Sequence, residues 1–190
     1  PSVLFPWAGQ LIMRSGWDAD AQWAVFDVGP WGVLHQHNDA LHLSITAYGR
    51  DLLVDSGRYT YQNYLAESGT WRSYFVNSAA HNVILIDGRG QANGPTVVER
   101  PLGNEEAIAT PEYDYARGTF AGGFADVATA SARLKAILWR QGTLPEVECD
   151  AAHTRAVLYL RGVGWVVVDR VETDRPRRIT RVQVQGEILV

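Results

Sequence analysis

The 190-residue sequence predicts an all-β protein made of packed antiparallel sheets. Three observations carry the prediction. Apolar residues recur at alternate positions in short runs, as in Leu41 to Tyr48, where Leu41, Leu43, Ile45 and Ala47 alternate with polar or amphipathic neighbours. Gly and Pro punctuate the chain at turn spacing. No amphipathic run with the helical period of about 3.6 residues is long enough for a core helix.

Taken in order, Gln10–Arg14 and Gln22–Asp27 are short strands, bounded by Gly9, Gly16 and Gly29-Pro30. Leu41–Tyr48 follows, then a turn at Gly49-Arg50. The return strand Asp51–Asp55 is expected to place Leu52 and Val54 on the apolar face and Asp55 opposite Ser44. Residues 58–80 are polar and aromatic without period and are expected to form a long ordered loop. Val83–Asp87 is a buried strand closed by Gly88-Arg89-Gly90, and 93–123 is loop-rich. Further strands are expected around Ser131–Arg140, Ala156–Leu160, Trp165–Val171 and Arg178–Val184, with Gly162-Val163-Gly164 turning a hairpin. Neither repeat nor linker divides the chain, so one domain is expected over 1–190.

Composition excludes several classes of function. Charged residues make up 20% and the formal net charge is −4, which recruits neither nucleic acid nor an anionic membrane. Cys149 is the only cysteine, so an internal disulfide framework and a thiolate zinc cluster are ruled out. No apolar run reaches the roughly 18 residues of a membrane-spanning helix. The chain opens Pro-Ser-Val-Leu, with neither an initiator Met nor a secretory leader, and reads as a piece of a longer polypeptide. Phosphate loops, Gly-x-Ser-x-Gly elbows and Cys-x-x-Cys pairs are missing, which removes the usual support for phosphoryl transfer, serine hydrolysis and dithiol chemistry.

The chemistry concentrates between Trp31 and Asn82. His35-Gln36-His37 sets two imidazoles about 7 Å apart on one side of an extended chain. A carboxylate and a third histidine from neighbouring strands, such as Asp55 and His81, would complete a zinc site. His42 lies on the polar face of its strand, where a hydrogen-bonding or subsite role suits it better than ligation. His153 is isolated and reads as structural or surface. Asp39 and Asp55 could also pair as acid and base for glycoside hydrolysis, although Asp51 and Asp87 compete for that part. The Tyr, Trp and Arg side chains of 58–74 suit either loop packing or a surface that stacks on sugars and binds carboxylates.

The motifs His35-Gln36-His37-Asn38-Asp39-Ala40-Leu41, Gly49-Arg50-Asp51-Leu52-Leu53-Val54-Asp55-Ser56-Gly57, Trp71-Arg72-Ser73-Tyr74 and Ala80-His81-Asn82-Val83, in this order, resemble the heparinase II/III-like polysaccharide lyases. His153-Thr154-Arg155 and Gly164-Trp165-Val166-Val167-Val168-Asp169-Arg170-Val171 resemble a later strand pair of the same domain. The resemblance implies the first part of a C-terminal β domain, a multi-sheet sandwich of the super-sandwich type, preceded in the family by an α/α toroid that this chain lacks. It implies a metal, usually zinc, at His37, Asp55 and His81, and a catalytic, cleft-facing role for His35. It also implies β-elimination on an acidic, uronate-containing polysaccharide, with Tyr59, Tyr61, Arg72 and Tyr74 as candidate sugar contacts, and it favours a periplasmic or secreted location. Because the family's main catalytic groups lie on the toroid, the fragment alone is expected to be inactive. For His37 to meet Asp55, the chain must bend near Asn38–Ala40; if it runs straight, His42 is the nearer imidazole. Two other readings fit the residues: a β domain that binds polysaccharide without catalysis, and a cupin-like metalloenzyme, which would want a Glu shortly after His37.

Overall fold

The computed structural model describes residues 1–32, 36–60, 66–126 and 147–185. The expected strand Ser131–Arg140 lies outside the described residues, as do His35 and Tyr61.

The first five strands, β1 (Val3–Phe5), β2 (Gln10–Arg14), β3 (Trp23–Asp27), β4 (Leu43–Ala47) and β5 (Arg50–Leu53), form one antiparallel sheet in sequential order. Alternation holds as read: Leu11, Met13, Ala24, Phe26, Leu43 and Ile45 are buried on one face. The β4–β5 turn is Tyr48-Gly49, one residue earlier than expected, with positive φ at both (55° and 69°) as a two-residue type I′ turn requires. A register shift then follows: Thr46 pairs with Asp51, but Ile45 pairs with Leu53. This β-bulge turns Leu52 outward and sets Leu53 against the core, reversing the expected faces. Leu52→Ser should therefore change stability by no more than about 0.5 kcal/mol, while Leu53→Ser should cost about 1–2 kcal/mol, read from denaturant midpoints.

Where a long loop was expected, α1 (Ala66–Phe75) forms, followed by a short 3-10 turn at Ser78–Ala80. No apolar stripe announces α1, whose sequence carries Ser68, Gly69 and Thr70, and it is aromatic packing among Tyr59, Trp71, Tyr74 and Phe75 that holds it. Next come β6 (Ile84–Ile86), β7 (Gly90–Gln91), β8 (Ala107–Ala109), β9 (Tyr113–Phe120), β10 (Phe124–Ala125), β11 (Ala151–Leu160), β12 (Gly164–Thr173) and β13 (Ile179–Arg181). Strands β12, β11, β9 and β8 make a second antiparallel sheet; β10 pairs with β7 and β13 with β6.

The segment 93–123 is thus less loop-rich than expected. The inward positions of β9 include Asp114, Ala116 and Gly118, and a charged group and two small ones conceal the alternation. The β11–β12 hairpin turns where expected, with Leu160 opposite Gly164, but each arm is ten residues long. Inward-facing His153 and Arg155 hid the extra length of β11. Between the two large sheets, Leu11, Met13, Phe26, Leu43 and Ile45 meet Ala116, Phe120, Val157 and Tyr159 in one apolar cluster, the two-layer arrangement that the sequence implies. No helix among the described residues is long and apolar enough to cross a membrane.

Candidate metal centre

Three chain segments meet at one end of the first sheet. The first leaves β3 and runs through Asn38 to Leu41. It bends as needed: His42 N–H donates to Asp39 O, and Leu41 takes a left-handed φ of 70°. Since the segment lies outside any sheet, its backbone groups are satisfied one at a time. Asn38 N–H donates to Val76 O, Asn38 Nδ2 to Gln91 O, Ser78 Oγ to Asn38 O and Gln91 N–H to Ser78 Oγ. The Gln91 side chain accepts from Ala40 N–H through Oε1 and donates to Ala40 O through Nε2. These bonds fix the limb that carries His37.

The second segment follows β5. Asp55 Oδ1 accepts from Gly57 N–H at 2.6 Å, an Asx-type turn completed by the positive φ of Gly57, and Ser56 Oγ donates to Ala80 O. The third is the Ser78–Ala80 turn, capped by Asn77 Oδ1, which delivers His81. Asn82 joins all three: Nδ2 donates to Leu43 O and Val54 O, Oδ1 accepts from Val184 N–H, and the backbone N–H donates to His42 Nδ1.

The result brings His37, Asp55 and His81 together, with one ligand atom from each lying within 4.8 Å of the others. His81 is fully buried and its Nδ1 stands 3.2 Å from Asp55 Oδ2. Two donors on a tetrahedral zinc with bonds of about 2.0–2.1 Å sit roughly 3.3 Å apart, so this pair is already at ligand spacing. The other His81 nitrogen, Nε2, is buried without a partner among the described residues. A buried imidazole at ligand spacing from a carboxylate, with a second imidazole alongside, fits a zinc-type donor set.

Electrostatics favour the ligand forms. Burial, with the charges of His81 and nearby arginines, lowers His37 to about 4, so its ring is neutral near pH 7. Burial would raise the Asp55 carboxyl, but the hydrogen bond and charge of His81 and the Gly57 N–H outweigh it and hold the group ionised. Asp39, whose Oδ2 is 4.0 Å from His81 Nδ1, is raised to about 6, chiefly by burial.

Asp55 does not stand opposite Ser44. The turn and bulge carry its carboxylate to His42, with 3.5 Å between Oδ2 and Nε2. His42 itself is buried and hydrogen-bonded rather than a surface residue. Asp51, on the strand, bonds Thr46 Oγ1, and Asp87 pairs with Arg177 and receives the Arg178 N–H.

Of the expected sugar contacts, Tyr59 and Tyr74 are exposed and cluster with Trp71 and Phe75. Arg72 is half-buried and donates to Thr60 O, which ties α1 to the loop. His35 and Tyr61 fall outside the described residues.

A supporting network that residue type alone did not single out lies behind the ligands. Arg155 donates to both Asp169 oxygens and, through Nη1, to Leu41 O and Asn82 O; His153 Nε2 donates to Asp169 Oδ1 at 2.8 Å. Burial pushes the Asp169 carboxyl up, but the hydrogen bonds from His153 and Arg155 prevail and keep it well below the usual carboxylate range. A depressed folded pKa gives stability that is present above the unfolded value of about 3.9 and is lost as pH falls below it. In thermal melts from pH 7 to 3, Asp169→Asn should accordingly flatten the part of the loss that falls below about pH 4.

Comparison with known proteins agrees with this architecture. The profile of the family described as "Heparinase II/III-like, C-terminal" matches residues 1–185. A heparin-sulfate lyase of Bacteroides stercoris is 26% identical over 110 residues, 57% of this chain and 16% of that protein. The solved heparan sulfate lyase HepC from Pedobacter heparinus superposes with a TM-score of 0.67 at 18% identity, over 94% of this chain and 23% of that one. A structure of heparinase III gives 0.61 at 17% identity, over 92% and 23%. The chain therefore spans under a quarter of the length of these relatives. A match along nearly its entire length, on a two-sheet antiparallel frame of the same shape, means that this chain belongs to the heparinase II/III-like C-terminal family.

Proposed function

We propose that residues 1–190 are the β-sandwich domain of a polysaccharide lyase that cleaves a uronate-containing polymer by β-elimination, with zinc held by His37, Asp55 and His81. The observation that carries this reading is the convergence of those three side chains in a chain of this family. In β-elimination a base takes the C5 proton, the neighbouring carboxylate is neutralised, and an acid protonates the oxygen leaving C4, so an unsaturated uronate forms without addition of water. Bound zinc would supply a fixed positive charge that locks the ligand-bearing segments together. The resemblance gives His35 the cleft-facing catalytic part and Tyr59, Tyr61, Arg72 and Tyr74 contacts to sugar. The principal catalytic groups belong in this reading to an upstream toroid, so the isolated domain is inactive.

The relatives named as heparin-sulfate and heparan sulfate lyases make a sulfated glycosaminoglycan the first polymer to test. Full-length protein that carries this domain should raise absorbance near about 232 nm, where an unsaturated uronate absorbs, and should lose that activity on His35→Ala. Reducing ends released without the absorbance would mean hydrolysis and overturn the reading. The exposed aromatic cluster also supports a domain that only binds polysaccharide. In that case His35→Ala leaves turnover unchanged, while Trp71→Ala weakens retention on an immobilised polymer.

A further inference from the structure

His42 lies next to the candidate ligands without belonging to them, and both of its nitrogens are engaged. The Asn82 backbone N–H donates to Nδ1 at 3.2 Å, so Nδ1 presents its lone pair and the proton of the neutral ring sits on Nε2. That Nε2–H donates to Ser44 Oγ, 2.9 Å away, and Nε2 lies 3.5 Å from Asp55 Oδ2. The ring is buried and stands edge-on to His81, with centroids 5.6 Å apart. Asp55 is thereby held at both oxygens, Oδ1 by the Gly57 N–H and Oδ2 by His81, with His42 Nε2 standing 3.5 Å from Oδ2. Its side chain is the most exposed of the three ligands and springs from the irregular stretch beyond the bulge, so it has the greatest need of an external hold.

We propose that His42 is a positioning residue for the metal centre: in its Nε2–H tautomer, set by the Asn82 amide, it orients the Asp55 carboxylate toward the cation and does not itself coordinate. The inference rests on the metal reading above and deepens it. Outer-shell partners of a metal ligand commonly change metal affinity by about 10–100-fold, because a misaligned carboxylate must be reordered when the ion binds. The arrangement also explains why a histidine only five residues after His37 is not a ligand: its one available lone pair is consumed by a backbone amide that cannot move without shifting His81.

The test is zinc binding by this chain, measured by competition with a chromophoric chelator. Wild type and His81→Ala bracket the result, and His42→Phe and His42→Gln decide it. His42→Phe should weaken zinc about 10–100-fold. His42→Gln, which can accept from the Asn82 amide and donate toward Asp55, should recover most of that loss. Wild-type affinity in His42→Phe would overturn the positioning role and leave the metal centre standing. Failure of wild type to bind zinc would overturn the metal reading itself. A spectroscopic measurement covers the case in which His42→Phe does not fold: in wild-type protein loaded with cadmium-113, nitrogen couplings to the metal should appear at His37 and His81, and His42 should show the uncoupled Nε2–H pattern. Coupling at His42, or an Nδ1–H tautomer there, would sink the proposal.

Discussion

Arg155→Ala is expected to destabilise the fold by about 3–5 kcal/mol, the cost of removing one partner from a buried ion pair. Arg155 is 2% exposed and its guanidinium serves four acceptors, two on Asp169 and the carbonyls of Leu41 and Asn82. Truncation takes the donor from two buried carbonyls and leaves Asp169 to His153 and Arg181, and the cavity left by the side chain adds to the loss. The carbonyls lie next to the bend that follows His37 and directly after His81, so zinc affinity should fall together with stability. Arg155→Lys keeps the charge but loses the planar fork and should fall between wild type and Ala. Urea titration at pH 7 decides the matter; a loss for Ala below about 1 kcal/mol would show that the Arg155 network does not stabilise the fold as a buried ion pair should.

The second large effect concerns the metal. An ion that binds the native state at a thousandfold excess over its dissociation constant stabilises by about 4.1 kcal/mol. For a chain of this length each kcal/mol moves Tm by about 2–4 °C. Chelation of zinc-loaded protein should therefore lower Tm by roughly 8–16 °C, and readdition should restore it. His81→Ala should show no response to zinc at all, since the deletion removes the candidate ligand that is fully buried and already at ligand spacing from Asp55. A melt indifferent to zinc in the wild-type chain would remove the cation from the account of this site.

The parts of the fold written in apolar alternation were legible in the sequence: β2, β3, β4 and the β11–β12 turn fall where expected. What was hidden follows a common cause, namely polar or small groups at inward positions. Asp114 and Gly118 break the pattern of β9, and His153 and Arg155 shorten the apparent first arm of the hairpin, because a buried polar group reads as solvent-facing until its partner is known. The bulge in β5 could not be read either, since Leu52 and Leu53 are chemically identical and only pairing decides which faces in. Helix α1 draws its support from tertiary aromatic contacts rather than from propensity. The His-x-His spacing suggested a metal site completed by Asp55 and His81, and the family motifs singled out His37 as the imidazole that joins them. Its structural reason, Asn82 and Gln91 bonding across three segments, leaves no periodic mark in a sequence.

Gln91 offers a wider lesson about irregular backbone. Its carboxamide takes one donor and one acceptor from Ala40, the pair that an adjacent strand would have supplied. A single side chain thus imitates one rung of a ladder, and the peptide can leave the lattice to aim an imidazole without abandoning hydrogen bonds in the interior. Glu at this position would keep the acceptor and forfeit the donor, so the primary amide is matched to the job in a way that size and polarity alone do not capture.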